Sequence, residues 1–281
     1  MKKLTYSIGP DIAVRDRAMS IGGKMLDGYK SPITATIVKR LESAGIKLVA
    51  DKADFAITTD TTDASSYQYR FRPTYGAVSR YGIAARGSSI DTANIATNDP
   101  AVIASVLELI AGQDENDSIS FNLEKNMITK PRVGSVNLPI STVAHVALEV
   151  IYSAETASNF YRYDGIRYGF RAKDAKNLVS LYGDSRDQGL STDDKRTILF
   201  GTYVLGADNY DRYFVQAQKV RTLIIKSLDD AFENLDILTV DDPSAAVLAG
   251  LPVLATPSGK HLVGRRGSDY ALLKYAGENH V

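Results

Sequence analysis

Ile37, Val38, Leu41 and Ala44 recur at the spacing of one helical face, and Gly45 follows where a helix-ending glycine belongs. The next residues, Ile46-Lys47-Leu48-Val49-Ala50, form a short β-like run. A helix feeding straight into a strand is the repeating unit of an α/β sheet, so the chain reads as α/β. Ser31-Pro32 is expected to open that helix, as an N-cap followed by proline at the first helical position.

The alternation continues along the chain. Asn98-Asp99-Pro100 predicts a second helix, with Val102, Ile103, Val106, Leu107 and Ile110 on one face and Gly112 at its end. Residues 58–66 (TTDTTDASS) and 113–118 (QDENDS) are polar clusters that read as loops. Residues 73–89 carry Gly76, Gly82 and Gly87 among aromatic and basic side chains, and irregular or short extended structure is expected there. Strands are expected over 133–138, ending at Pro139, and over 237–240 and 253–255. Helices are expected from Ser141, with Val143, Ala147, Val150, Ile151 and Ala154 inward, then near 172–182, 192–205 and 208–233. In the last of these Val215, Val220, Leu223 and Ile224 are expected to face the core. The expectation is one domain over 1–281, with a mixed β-sheet flanked by helices and a possible internal linker at 119–131.

Composition narrows the function. The 281 residues are enough to bury a sizeable core. Lys+Arg and Asp+Glu are both 33, so the formal net charge is zero, which argues against nucleic-acid affinity resting on global positive charge. The chain has no Cys, which removes disulfides, thiolate metal sites and cysteine nucleophiles. No apolar run reaches the roughly 18–20 residues of a membrane helix. The opening MKKLTYSIGPDI has two lysines but no apolar block behind them and does not read as a signal peptide. A cytoplasmic protein is expected, with no cofactor.

Four stretches, in this order, carry a resemblance. They are GKMLDGYKSPITATIVKRLESAG (23–45), RPTYGAVSRYGIAARGSSID (72–91), RYDGIRYGFR (162–171) and KRTILFGTYVLGADNYDRYFVQAQKVRTLI (195–224). Together they resemble the amidase signature family, and within it the A-subunit branch of the glutamyl-tRNA(Gln) amidotransferases. LAGLPVLATPSG (248–259) is similar to the family's closing strand. The resemblance implies an α/β/α domain around a large mixed sheet. It also implies amide hydrolysis by a Ser–Ser–Lys triad, because an unassisted serine hydroxyl is a weak nucleophile.

The chain departs from that pattern where the chemistry sits. The family's two serines lie in a long Gly/Ser-rich signature ahead of the PTYG block. Here the loop ending Asp63-Ala64-Ser65-Ser66 runs almost directly into Tyr69-Arg70-Phe71-Arg72-Pro73. Ungapped alignment from Ala44-Gly45 puts Asp51 at the family lysine. Lys52 is next door, but a shift of one residue along a strand turns a side chain to the other face. Thr92-Ala93-Asn94-Ile95 stands where the family has a QIGP-like stretch. Family segments also look lost between QDENDS and Val133, and after Val240. Losing one triad member costs several orders of magnitude, and losing all leaves no evident route to hydrolysis.

Several residue groups remain candidates for binding. Arg72, Tyr75, Ser79, Arg80 and Tyr81, with Tyr69 and Arg86 nearby, form an aromatic-basic stretch flanking the expected catalytic centre. They line either a residual anion pocket or a glycine-rich connection whose tyrosines cover the sheet. Arg162, Tyr163, Asp164, Arg167, Tyr168 and Arg171 alternate aromatic and basic side chains, a pattern that holds bases and phosphates. The plainer reading is a packed turn with its arginines paired to Asp164, Asp174 or Asp193-Asp194. Lys52 with Ser65 or Ser66 is a rebuilt Ser–Lys pair or, more simply, a polar loop beside a surface lysine. His145 and Glu149 have the i, i+4 spacing of metal ligands without a visible third, so no metal site is expected. Gly264-Arg265-Arg266-Gly267 is a short basic turn, by default an exposed loop.

The leading expectation is therefore a pseudo-amidase that binds a protein partner or a small ligand. The rivals are a surviving amidase or glutaminase, and an accessory component of a tRNA-dependent complex. The expected partner is a second copy, as a twofold homodimer, or an amidotransferase-like protein; tRNA would be met only through such a complex.

Overall fold

The computed structural model describes residues 4–59, 66–125, 127–135 and 141–279. The first half runs β1 (Thr5–Ile8), α1 (Thr36–Ser43), β2 (Lys47–Leu48), β3 (Phe55–Thr58), β4 (Tyr69–Arg72), β5 (Asn94–Thr97), α2 (Pro100–Ile110) and β6 (Val133–Ser135). Helices then dominate: α3 (Ser141–Phe160), α4 (Leu178–Gly189), α5 (Thr192–Leu205), α6 (Ala207–Asn209) and α7 (Val215–Asn234). β7 (Ile237–Val240), α8 (Ser244–Ala249), β8 (Val253–Ala255), β9 (His261–Gly264) and α9 (Asp269–Glu278) follow.

The nine strands form one mixed sheet in the order β2-β1-β3-β5-β4-β8-β9-β7-β6. β1 runs parallel to β2 and β3, and β6 parallel to β7, while the other neighbours are antiparallel. The pairing of Phe71 with Leu254 joins strands from the two ends of the chain at the centre of the sheet.

Side chains alternate across a strand, so each register row belongs to one face. Phe55, Ile57, Phe71, Ile95, Leu254 and Leu262 point to the first face, where α1, α2 and α9 cover them. Leu238, Val253 and Val263 point to the second face and are buried against α3, α7 and α8. That helical layer packs on the β8-β9-β7 half. Across β3, β5 and β4 the second face carries Thr58, Asn94, Arg70 and Arg72, with small Ala56 and Ala96 between them. The polarity of this half-face is what positions the site below.

Helix α2 lies where its sequence signals put it. Asp99 accepts a hydrogen bond from the Ala101 N–H at 3.0 Å, Pro100 is the first helical residue, and Ile103, Val106, Leu107 and Ile110 are buried. Helix α1 starts later than Ser31-Pro32 predicts. The Ser31 hydroxyl bonds locally to Ile33, and the backbone N–H groups of Ala35 and Thr36 donate to Ala13 and Tyr81, which holds 32–35 out of helical geometry. Gly45 ends the helix with φ +77°, as expected.

The helix expected near 172–182 is displaced. Asn177 and Ser180 form a reciprocal capping box that starts α4 at Leu178, while the Ala172 N–H is taken by the Ser185 hydroxyl. Val143 is exposed rather than inward, because the buried stripe of α3 is Ala144, Ala147, Ile151 and Ala154. Leu223 is likewise exposed. A π-helical turn over Tyr210–Phe214 adds one residue to the turn and leaves Ala217, Ile224, Leu228 and Phe232 facing the core. The expected strand over 133–138 is seen as Val133–Ser135, and residues 136–138 lie outside the described residues. No helix among the described residues is long and apolar enough to cross a membrane.

Candidate functional site

At the polar half of the second sheet face a chamber of about 710 Å³ opens. Its walls come from far apart in the chain. The turn after β1 brings Asp11, β4 brings Arg72, and the connection before β5 brings Arg86 and Asp91. α3 contributes Tyr152, the start of α5 contributes Asp194, and the turn before α8 contributes Asp242.

Arg86 ties the wall together. Its guanidinium donates from Nη1 to Asp194 at 2.6 Å and from Nη2 to the Ile21 carbonyl, and it lies over the Phe160 ring at 5.1 Å. Burial alone would lower this guanidinium, but the charge and hydrogen bond of Asp194 outweigh it and hold it above its usual value. Asp194 is itself placed by the α5 terminus, where the Ser191 hydroxyl caps the Asp194 N–H and donates to its carboxylate at 2.6 Å.

Arg72 and Asp91 are the electrostatically perturbed pair. Burial lowers the Arg72 guanidinium to about 10, with Asp91 offsetting part of the effect. Arg72 donates from Nη2 to the Ile90 carbonyl, while its buried Nε has no partner. Burial pushes Asp91 up to about 6, against the hydrogen bond it accepts from the Arg86 N–H at 2.8 Å and the charge of Arg72. Asn94, 3% exposed, donates from Nδ2 to the Thr59 carbonyl at 3.3 Å and leaves its Oδ1 unpartnered.

Among the described residues three serines line the chamber, and each hydroxyl oxygen has a hydrogen-bond partner in the wall. Ser20 accepts from the Gly22 N–H at 3.2 Å, Ser191 donates to Asp194, and Ser244 donates to Asp242 at 2.6 Å. Among the described residues that line the chamber there is no lysine. Lys52 is exposed with φ +55° beyond β2, the outermost strand, and β1, β3 and β5 separate that strand from β4. Ser66 is exposed, and Ser65 lies outside the described residues.

The first sequence candidates gather around this region but not in one cavity. Arg72 lines the chamber. Arg80 and Tyr81 line a neighbouring depression of about 190 Å³ that shares Asp91 with it. Tyr75 donates to the Ser88 carbonyl at 2.7 Å and stacks under Arg80 at 5.1 Å; Arg80 also pairs with Asp117 at 3.6 Å. The Ser79 hydroxyl donates to Asp114 at 2.5 Å, a structural bond.

The second group stays apart and forms a self-contained turn. Asp164 accepts from the Ile166 and Arg167 N–H groups and pairs with Arg167 Nε, all at 2.9 Å, and these bonds hold it below the usual carboxylate range. Arg162 donates to the Asn159 carbonyl at 2.8 Å, and Tyr163 packs edge-on to Phe160. Tyr168 and Arg171 are exposed. No metal-holding cluster of His, Asp or Glu occurs among the described residues, and His145 is exposed on α3.

Sequence reasoning missed Asp11, Asn94 and His261, and offered Asp194 as a partner of the second arginine block rather than of Arg86. They meet only through the sheet register and the α5 packing, and no local pattern flags them. Arg70 was legible in principle, since Arg70 and Arg72 must share a face at β-strand period.

The chain's similarities agree with this architecture. Residues 129–252 match the family model described as Amidase. The glutamyl-tRNA(Gln) amidotransferase A subunit of Symbiobacterium thermophilum is 28% identical, with 95% of this chain and 81% of the relative covered. Its counterpart in Anaeromyxobacter dehalogenans is 31% identical over 93% of this chain and 70% of the relative. The crystal structure of the A subunit from Thermotoga maritima superposes with a TM-score of 0.62 at 19% identity, covering 96% of this chain and 81% of that one. The Symbiobacterium alignment runs over 397 positions against a chain of 281, so at least 116 positions (397 less 281) face gaps in this chain. The family-model match, together with 31% identity to a relative aligned over 93% of this chain and 70% of its own length, leads to one conclusion: the chain belongs to the amidase family.

Proposed function

We propose that this chain is a non-hydrolysing member of the amidase family that works by binding, with the polar chamber as the place where it holds a small ligand. The observation that carries the reading is the chamber wall. It is built of the Arg86–Asp194 ion pair with Arg72 and Asp91 beside it, its described serine hydroxyls bond to a backbone N–H or to carboxylates, and no lysine stands among the described residues that line it. The Ser–Ser–Lys route that the resemblance implies needs a hydroxyl in contact with its lysine base and donors aimed at the developing oxyanion. The gaps against the amidotransferase relatives add support, because the connection from β3 to β4 spans only residues 59–68, where the resemblance calls for the long Gly/Ser-rich signature.

The test is direct. Purified protein incubated with glutamine, asparagine or a simple amide is expected to release ammonia at the buffer rate. Turnover that disappears in Lys52→Ala would overturn the reading in favour of a displaced Ser–Lys amidase.

A second reading, assembly with another protein, is favoured by one observation. Val146 on α3 and Leu199 and Tyr203 on α5 are 57%, 71% and 54% exposed, and Val143 and Phe200 on the same two helices are exposed as well. Apolar area in water costs roughly 25 cal/mol per Å², and zero net charge gives no long-range repulsion between copies. The relatives are named as subunits, which fits the same reading. Light scattering on the isolated protein at micromolar concentration is expected to give the mass of a dimer. A monomer there, with no protein partner recovered from cells, would remove it.

A further inference from the structure

Beside the chamber, on the same half-face, lies a smaller cavity of about 150 Å³, and the two share Arg72, Asn94, Pro243 and Val247 in their walls. Its construction follows from the sheet register. Arg70 pairs across β4 and β8 with Ala255, and Ala255 pairs in turn with His261 on β9. On the other side Arg70 pairs with Ala96 of β5. Arg70 and His261 therefore stand in one row with only a methyl group between them. Arg72 stands two residues along, level with Asn94. Opposed residues in a sheet lie about 4.5–5.5 Å apart, so two alanines make a low floor walled by two guanidiniums, an amide and an imidazole.

Residues of this wall carry buried polar atoms without a hydrogen-bond partner. Eight buried side-chain nitrogens or oxygens lack a partner among the described residues, and three of them belong to residues of its wall: Arg72 Nε, Asn94 Oδ1 and His261 Nδ1, the His261 ring lying within hydrogen-bond reach of the Asp241 and Val240 backbone. Neither Arg70 nor Arg72 forms an ion pair among the described residues. A buried polar group without a partner is costly, more so when charged, so their gathering at the wall of one small cavity points to a bound group.

The chemistry of that group follows from the donor and acceptor set. Arginine only donates. Asn94 Nδ2 is committed to the Thr59 carbonyl, so Asn94 offers an acceptor. The occupant must therefore accept from two guanidiniums and also donate one hydrogen bond. Hydrogen phosphate does both, with its oxygens on Arg70 and Arg72 and its P–OH on Asn94. Sulfate and simple carboxylates only accept.

We propose that Arg70, Arg72, Asn94 and His261 form a binding site for a hydrogen phosphate group, either free inorganic phosphate or the head of a small phosphomonoester whose remainder extends into the larger chamber. The proposal rests on the ligand-binding reading above, yet the two can fail separately, since ammonia release tests only the absence of hydrolysis.

The experiment is calorimetric titration of the intact protein with inorganic phosphate, glycerol 3-phosphate and sulfate at matched ionic strength and at about pH 6, where both phosphate probes still carry a P–OH. Phosphate is expected to bind one to one, with sulfate at least tenfold weaker. Arg70→Gln is expected to weaken phosphate at least tenfold, in line with losing a charge-assisted hydrogen bond. Arg70 is only partly buried, so this variant tests the site without emptying the core. Asn94→Asp, which turns the acceptor into a charge facing the phosphate, is expected to abolish binding; circular dichroism on the same sample verifies its fold. Tighter binding of glycerol 3-phosphate than of phosphate identifies the phosphomonoester as the ligand, and the reverse identifies the free ion. Equal affinity for sulfate, an Arg70→Gln variant that binds like the parent, or no heat from either phosphate probe at 10-fold excess over millimolar concentration (about 10 mM) would overturn the proposal.

Discussion

Gly201→Ala is expected to destabilise the protein by at least about 3 kcal/mol, and the gain in helix propensity does not rescue it. Gly201 sits inside α5 against α3. A Cβ built on it would lie 2.0 Å from the Ser153 carbonyl oxygen and 2.9 Å from the Ala157 Cβ. The first of these is backbone in the middle of a 20-residue helix, so no rotamer change relieves the clash and the two helices must move apart. α3 also carries Ala144, Ala147 and Ile151 of the second core cluster, so that movement opens the layer that covers the β8-β9-β7 half of the sheet. The contrast is Gly183 in α4, which is exposed and has nothing within 4 Å of a built Cβ. There alanine is expected to stabilise by about 0.5–1 kcal/mol, because only the backbone entropy of glycine is at stake. Urea unfolding of the two variants side by side reads both signs. A Gly201→Ala variant as stable as the parent would mean that α5 does not pack this closely on α3.

The difference between those two glycines also shows what a sequence discloses. Local chemistry is readable: Asp99-Pro100 starts α2 because a side-chain oxygen and a missing N–H act within one turn. Gly45 ends α1 for an equally local reason, its positive φ. Long-range competition is not readable. Ser31-Pro32 carries the same signals as Asp99-Pro100, yet Ala13 and Tyr81 claim the backbone that a helix would need. Leu223 looks inward on paper and is exposed in the fold, because the buried stripe of α7 runs through Ala217, Ile224, Leu228 and Phe232. β9 and α9 escape notice because His261-Leu262-Val263-Gly264 is short and its partners lie on β7 and β8.

The candidate site divides along the same line. Arg72 and its aromatic neighbours stand out within one stretch of sequence. Asn94 and His261 are single polar residues in separate strands, more than 160 positions apart, and only register brings them to one face. Asp194 reaches Arg86 across 108 positions because the capping of α5 aims it there. The second aromatic-basic block was conspicuous in sequence, and the bonds within it are those of a turn.

The stability of the protein is expected to fall as pH rises from about 4 to about 6, in the part governed by Asp91, and Asp91→Asn is expected to remove that fall. Burial raises the carboxyl from its ordinary 3.8 to about 6 in the folded chain. Below pH 4 both folded and unfolded states hold the proton, and the buried neutral carboxyl carries no charging penalty. Between the two values the unfolded state has released its proton while the folded state keeps it, so unfolding is favoured increasingly as pH rises. Above pH 6 both are ionised and the full penalty persists, about 3 kcal/mol for a shift of this size. Asparagine cannot ionise, and its side-chain oxygen can still accept from the Arg86 N–H. The attraction between ionised Asp91 and Arg72 is already contained in the folded value of about 6, so it adds no separate offset. The variant's stability relative to the parent is therefore expected to climb by up to about 3 kcal/mol from pH 4 to pH 7. Urea unfolding at unit pH steps measures the slope. A difference that stays flat would mean that Asp91 is already ionised in the folded chain at pH 4, and hence that water reaches the chamber wall and screens it.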